Sequence, residues 1–211
     1  MRQMNIAALL EELGQGREVE LTFHRLDEAI MIALNALIVK ALSMRDSLFV
    51  LNSMITIIRE LVENAQKANA KRLFFRKLGK DIHDETSYSE VLREYEGRMK
   101  EMIRNTEEEL DASGLTVSVI FRFENGDLII EVGNNIELLD DEKKRILLRM
   151  DMGEKSAHFL NIYGKIQDSS EGGGVGLVLI LFMLKNMGVQ PSALKLETKP
   201  GSTWIDRKSV V

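Results

Sequence analysis

The chain has 211 residues, 45% of them hydrophobic, no cysteine, and a formal net charge of −5. That is enough for one large domain, or one domain with an appendage, around a full core. It excludes a disulfide framework and a thiolate metal site, and argues against general binding to nucleic acid or an anionic membrane surface.

Residues 3 to 13 read as an amphipathic helix ending near Gly14 and Gly16, with Glu11 and Glu12 where a signal peptide would be apolar. Glu18 to Phe23 alternates as a short strand. An apolar helix is expected over Leu26 to Leu42; Ala29 to Leu42 is shorter than a bilayer span and carries Asn35 and Lys40. A soluble, cytoplasmic protein is expected. The run Ile30 to Leu34, with Leu37, Ile38 and Leu42, is apolar enough for burial in the core or for a helical dimer seam. Residues 43–47 form a polar break in which Asp46 or Ser47 could cap a following helix, Leu48 to Ala68. Arg72 to Phe75 reads as a strand, Lys80 to Ser89 as a loop and Glu90 to Leu110 as a charge-rich helix. Leu115 to Phe123 and Leu128 to Val132 read as a hairpin turned by Asn125-Gly126, a type I′ signal. Asp140 to Met150 is expected to be helical, and Asp151 to Glu171 a long polar loop. Leu177 to Met187 is an apolar helix stopped by Gly188 and Pro191, and a second hairpin flanks Pro200-Gly201.

Two stretches carry possible chemistry. In the helix Arg59 to Ala70, the residues Leu61, Ala65 and Ala68 make an apolar face. Glu60, Glu63, Asn64 and Lys67 share a second face, where carboxylates, a carboxamide and an ammonium could hold a hydrated cation and a polyanion. A solvated helix face is the alternative. The second stretch, Gly172-Gly173-Gly174-Val175-Gly176-Leu177, opens a helix as a phosphate-binding turn does. It lacks the Gly-Lys-Ser/Thr of a Walker A loop, and no strand directly precedes it as a dinucleotide fingerprint requires. A flexible hinge is its alternative. His83 and His158 have no partner pattern for a metal site.

Taken together, Glu60-x-x-x-Asn64-Ala65-x-Lys67, the strand end Val132-Gly133-Asn134-Asn135 and Gly172-x-Gly174-Val175-Gly176-Leu177 resemble the histidine-kinase-like ATPases. These are the Bergerat-fold proteins, which include sensor kinases, type II topoisomerases, mismatch-repair ATPases and heat-shock chaperones. Gly201-Ser202-Thr203 resembles the Gly-x-Thr hairpin that closes that fold. The resemblance covers about residues 48–208 and implies an α+β two-layer sandwich, a mixed, largely antiparallel sheet covered by helices. It divides the chain into an N-terminal docking or dimerisation segment, 1–47, and an ATP-binding domain, 48–211, with a helical insertion about 80–113 and an ATP lid about 136–171.

The resemblance also implies roles. Asn64 would ligate Mg²⁺, Glu60 would orient or deprotonate the attacking group, and Lys67 would neutralise phosphate charge. Gly172, Gly174 and Gly176, with Val175 and Leu177, would bring the lid over the phosphates, with Arg149, Lys155 and Lys165 as candidate contacts or ordinary surface charges. Thr203 would serve the adenine site through a water. One departure stands out: the family's adenine-reading Asp-x-Gly is here Asn134-Asn135-Ile136. A carboxamide can still accept from the adenine amino group, through a neutral hydrogen bond. His24 is a candidate phosphoacceptor or a surface histidine at a strand–helix junction. The expected activity is a Mg²⁺- and ATP-dependent protein kinase or ATPase in two-component signal transduction, with a protein partner or substrate and a possible homodimer. The alternative is a nucleotide-sensing or degenerate regulatory module acting through a protein partner.

Overall fold

The computed structural model describes residues 5–84, 88, 91, 107–155 and 174–208. The elements in chain order are α1 (Ile6–Gly14), β1 (Val19–Phe23), α2 (Glu28–Ser43), α3 (Leu51–Lys77), α4 (Glu107–Ser113), β2 (Val117–Glu124), β3 (Asp127–Asn134), α5 (Asp140–Lys155), α6 (Gly174–Asn186), β4 (Leu194–Lys199) and β5 (Ser202–Lys208). The strands form one antiparallel sheet in the order β1-β2-β3-β5-β4.

Alternation along the strands decides which face is covered. Val19, Leu21 and Phe23 of β1, Val117, Val119 and Phe121 of β2, and Leu128, Ile130 and Val132 of β3 point to one side. There they meet Leu37 and Ile38 of α2, Ile57 and Leu61 of α3, and Ile180 and Leu184 of α6. The opposite side carries polar pairs beside the buried Ile129: Arg122 reaches Glu131 at 2.7 Å, and the hydroxyls of Thr22 and Ser118 are 2.7 Å apart. The chain is an α+β protein, a five-stranded antiparallel sheet with helices packed on it. Within the N-terminal segment, β1 is a strand of the sheet and α2 enters the same core.

Local chemistry fixes the element ends. Asp27 Oδ1 accepts from the Ile30 amide at 2.8 Å and caps α2. Asn125 and Gly126 both have positive φ, 52° and 89°, so the β2–β3 turn is the expected type I′. Three expectations are corrected. Arg72 to Phe75 is not a strand but part of α3, which runs on to Lys77. There is no helix breaker before Gly79, and Phe74 and Phe75 bury themselves with Ala70 and Val91. Neither Asp46 nor Ser47 caps α3: a 3₁₀ turn over Leu48–Val50 intervenes, and the Ser47 hydroxyl donates to the Arg45 carbonyl instead. The loop expected over Asp151 to Glu171 is helical as far as Lys155, because Gly153 lets α5 lie against Leu181 of α6. Residues 156–173 lie outside the described part, as do 85–87, 89, 90 and 92–106; within the expected loop and helix, 80–84 is irregular, Tyr88 and Val91 are helical, and Glu107 onward is α4.

One close approach is built into the sheet. Gly133 faces Trp204 across the β3–β5 pair, and a Cβ there would meet the Trp204 ring and stand 2.8 Å from the Thr203 backbone oxygen. Neither neighbour can yield without shifting the strand. Gly133→Ala is expected to lose about 1–3 kcal/mol of stability, read by urea denaturation. An unchanged midpoint would show that β5 can move.

Candidate functional site

Helical geometry places Glu60, Asn64 and Lys67 on one face of α3, at i, i+4 and i+7. All three are half-buried. Asn64 Nδ2 donates to Glu60 Oε1 at 3.3 Å, so its carboxamide oxygen is the group left to serve as a hard ligand. Glu63 turns away to pair with Arg59 at 2.8 Å.

The glycine stretch arrives at this face. Gly174 is the first residue of α6, and Gly176 packs so tightly on Glu60 that a Cβ there would overlap its carboxylate. The first turn of α6, the end of a helix that favours negative charge, thus lies beside the Glu60–Asn64 pair. Val175 packs near Val178, Met152 and Phe182, and Leu177 enters the main core. Their side chains hold the helix, so only their backbone could face a ligand. Gly172, His158 and Lys165 lie outside the described residues.

Asn134, the last residue of β3, closes the other side. Its Nδ2 donates to the carbonyl of Ala65 at 3.2 Å, which ties the strand end to α3 one residue past Asn64. Its Oδ1 is buried and has no hydrogen-bond partner. Across the ladder Asn134 pairs with Thr203, whose hydroxyl donates to the Ile136 carbonyl at 2.9 Å. Beyond Asn134 a groove of about 390 Å³ runs between the end of α3 and the β4–β5 turn, lined in part by Arg72, Phe75, Asn135, Ile136 and Gly201.

The other candidates lie elsewhere. His24 is at the same end of the sheet as Asn134, two strands away. Its Nδ1 lies 2.7 Å from the Leu115 carbonyl, so that nitrogen carries the proton and ties β1 to the start of β2. Lys155 pairs with Asp151 within α5, and Arg149 Nη1 is 3.9 Å from the Met152 sulfur. Among the described residues no group of three or more His, Asp or Glu side chains could hold a metal by itself. Any metal at Asn64 would need further oxygens from a ligand or water, the coordination that Mg²⁺ takes with phosphates.

Two features had no signature in the sequence. Glu142 of α5 is buried against Arg72 and Lys71 of α3: Arg72 Nη1 donates to Glu142 Oε1 at 3.0 Å, Lys71 pairs with the same oxygen, and the Leu139 amide donates to Oε2 at 3.2 Å. Burial opposes ionisation of Glu142, but the hydrogen bonds and charges of Arg72 and Lys71 outweigh it and hold the carboxyl at about 2. This ion pair fixes the start of the segment expected to form the lid. The second feature is Asn69, a carboxamide inside α3 that is 1% exposed.

The site is thus a carboxylate–carboxamide pair on one helix, met by the glycine-containing first turn of another and by a buried carboxamide at a strand end. No family model matches the chain, and no solved structure matches it. It is similar to an uncharacterized protein of Treponema pallidum (strain Nichols), 32% identical over 146 residues. The match takes in 69% of this chain and 28% of that protein, so the chain spans only a part of its relative's length.

Proposed function

We propose that the chain is a Mg²⁺-ATP-binding domain of the histidine-kinase-like, Bergerat type, acting as a protein kinase or ATPase in signal transduction. The observation that carries this reading is the packing of Gly176 on Glu60, beside the Glu60–Asn64 hydrogen bond. It joins a glycine-opened helix, suited to phosphate, to a carboxylate and a carboxamide suited to Mg²⁺ and a proton. The residues present fit the ligand. Asn64 would hold the metal through its oxygen, Lys67 would lie one turn on toward the phosphates, and the partnerless Asn134 oxygen would accept from the base. The metal, when bound with the nucleotide, neutralises charge on the transferring phosphate. Glu60 would orient and deprotonate the attacking hydroxyl or water.

A second reading, a nucleotide-sensing module acting through a protein partner or a second copy, is favoured by one observation. Met31, Ile32, Val39, Met44, Leu48 and Phe49 are all exposed around α2, Phe49 at 75%. Apolar surface clustered in this way belongs at interfaces. Among the described residues no helix is long and apolar enough to cross a membrane.

The experiment is a melting series with Mg²⁺ and a non-hydrolysable ATP analogue. Ligand at a hundred times its Kd should add about 2.7 kcal/mol, roughly 5–10 °C in Tm. A Tm that ignores the nucleotide contradicts both readings. A shift without any hydrolysis of ATP or transfer of its phosphate selects the second.

A further inference from the structure

At the candidate site α3 and α6 meet through one carboxylate. A Cβ on Gly176 would overlap Glu60 Oε1 and stand 2.5 Å from Glu60 Cδ and 3.0 Å from Glu60 Cγ. A gap that cannot take one carbon cannot take a phosphate oxygen. From a second direction Asn64 Nδ2 donates to the same Oε1 at 3.3 Å. One oxygen of Glu60 thus engages both the glycine turn of α6 and the side chain expected to hold the metal.

The helices themselves are not free to part. Leu61 follows Glu60 and Leu177 follows Gly176, and both leucines are buried in the main core. Moving either backbone away would pull that packing open. The element that can yield is the Glu60 side chain, half-buried and held at its tip by Asn64 and Gly176.

We propose that this contact is autoinhibitory: in the ligand-free chain the Glu60 carboxylate fills the seat of a nucleotide phosphate at the glycine turn, and it must swing aside before the phosphate can enter. The inference rests on the nucleotide reading above and adds to it a control on binding. A carboxylate is a fitting occupant, since the start of a helix favours one anion as it favours another. Binding then has to break the Glu60 contacts, so the apparent affinity is lowered by the fraction of chains in which the seat is open. The swing that admits the phosphate also frees Glu60 from Gly176 to reach the attacking group, so the base is deployed only once a phosphate is in place.

The test separates reach from charge at position 60, by calorimetric titration of a non-hydrolysable ATP analogue with Mg²⁺ into the chain. Glu60→Gln keeps the length and the acceptor oxygen, fills the same seat and should bind as wild type does. Glu60→Asp keeps the charge but is one methylene shorter and falls short of Gly176, and Glu60→Ala has no reach at all. Both are expected to bind roughly tenfold tighter than wild type, the factor for a seat open in about one chain in ten. In wild type a nuclear Overhauser contact between the Gly176 α-protons and the Glu60 γ-protons should be present in the free chain and vanish at saturation with the analogue, a readout that needs no variant to fold. Wild-type or weaker affinity in either Glu60→Asp or Glu60→Ala, an affinity of Glu60→Gln raised as far as that of Glu60→Ala, or an Overhauser contact absent from the free chain or surviving saturation would each overturn the autoinhibitory contact while leaving nucleotide binding in place. If neither wild type nor any variant, all folded, binds the analogue, the nucleotide reading falls, and this inference with it.

Discussion

Glu142→Ala is expected to cost the domain about 3–5 kcal/mol, a large share of a typical folding free energy. The reason is what it leaves behind. Arg72 and Lys71 are nearly buried, and without the carboxylate two positive charges face a site with no counterion at that position. The Leu139 amide loses its acceptor at the start of α5 as well. The pH dependence follows from the same pair. The Glu142 carboxyl is held at about 2 in the folded chain against an ordinary 4.5, a lowered value. Its contribution is therefore complete above pH 4.5 and is lost as pH falls toward 2, and the shift corresponds to about 3 kcal/mol. Urea midpoints taken from pH 6 down to pH 3 should fall in the wild type and change much less in Glu142→Ala. Parallel curves would contradict the assignment.

Glu60→Gln is expected to slow nucleotide turnover by about 10²–10⁴-fold and to leave nucleotide affinity near the wild-type value. Glutamine keeps the oxygen that accepts from Asn64 Nδ2 and loses only the basicity. Gly176→Ala reaches the same atom from the other side. The added methyl would overlap the Glu60 carboxylate, the flexible end of its side chain, so the carboxylate swings aside while the helix stays. Its turnover should fall far more than its stability. Wild-type turnover in Glu60→Gln would remove Glu60 from the chemistry. Loss of binding in that variant would make it a ligand-holding residue instead.

The parts of the fold legible in the sequence were those with a local cause. Asn125-Gly126 dictates its own turn, and alternation from Val117 to Phe121 names the buried face, so the β2–β3 hairpin stands as read. The strand misread at Arg72 to Phe75 shows what local propensity misses. Aromatic and apolar residues favour strands in general, but here nothing breaks α3 before Gly79 and Phe74 and Phe75 have a cluster to enter. Gly153 misled in the opposite direction: a glycine among polar residues suggests a loop until Leu181 is seen to need the space. Within the candidate site, the Glu60–Asn64 spacing and the glycines were visible because periodicity and composition mark them. Glu142 with Arg72, and Asn134 with Ala65, were not. Their meaning arises only when α5 or β3 is laid on α3, and nothing within each segment encodes that meeting.

The most direct measurement is calorimetric titration of a non-hydrolysable ATP analogue with Mg²⁺ into the wild-type chain and into Asn64→Ala. Binding is expected in the wild type, weaker without Mg²⁺, and in Asn64→Ala the gain from Mg²⁺ should vanish because the side chain that would hold the metal is gone. No binding to the folded wild type, or a Mg²⁺ gain that Asn64→Ala keeps, would contradict the assignment of this face of α3 as a metal–nucleotide site.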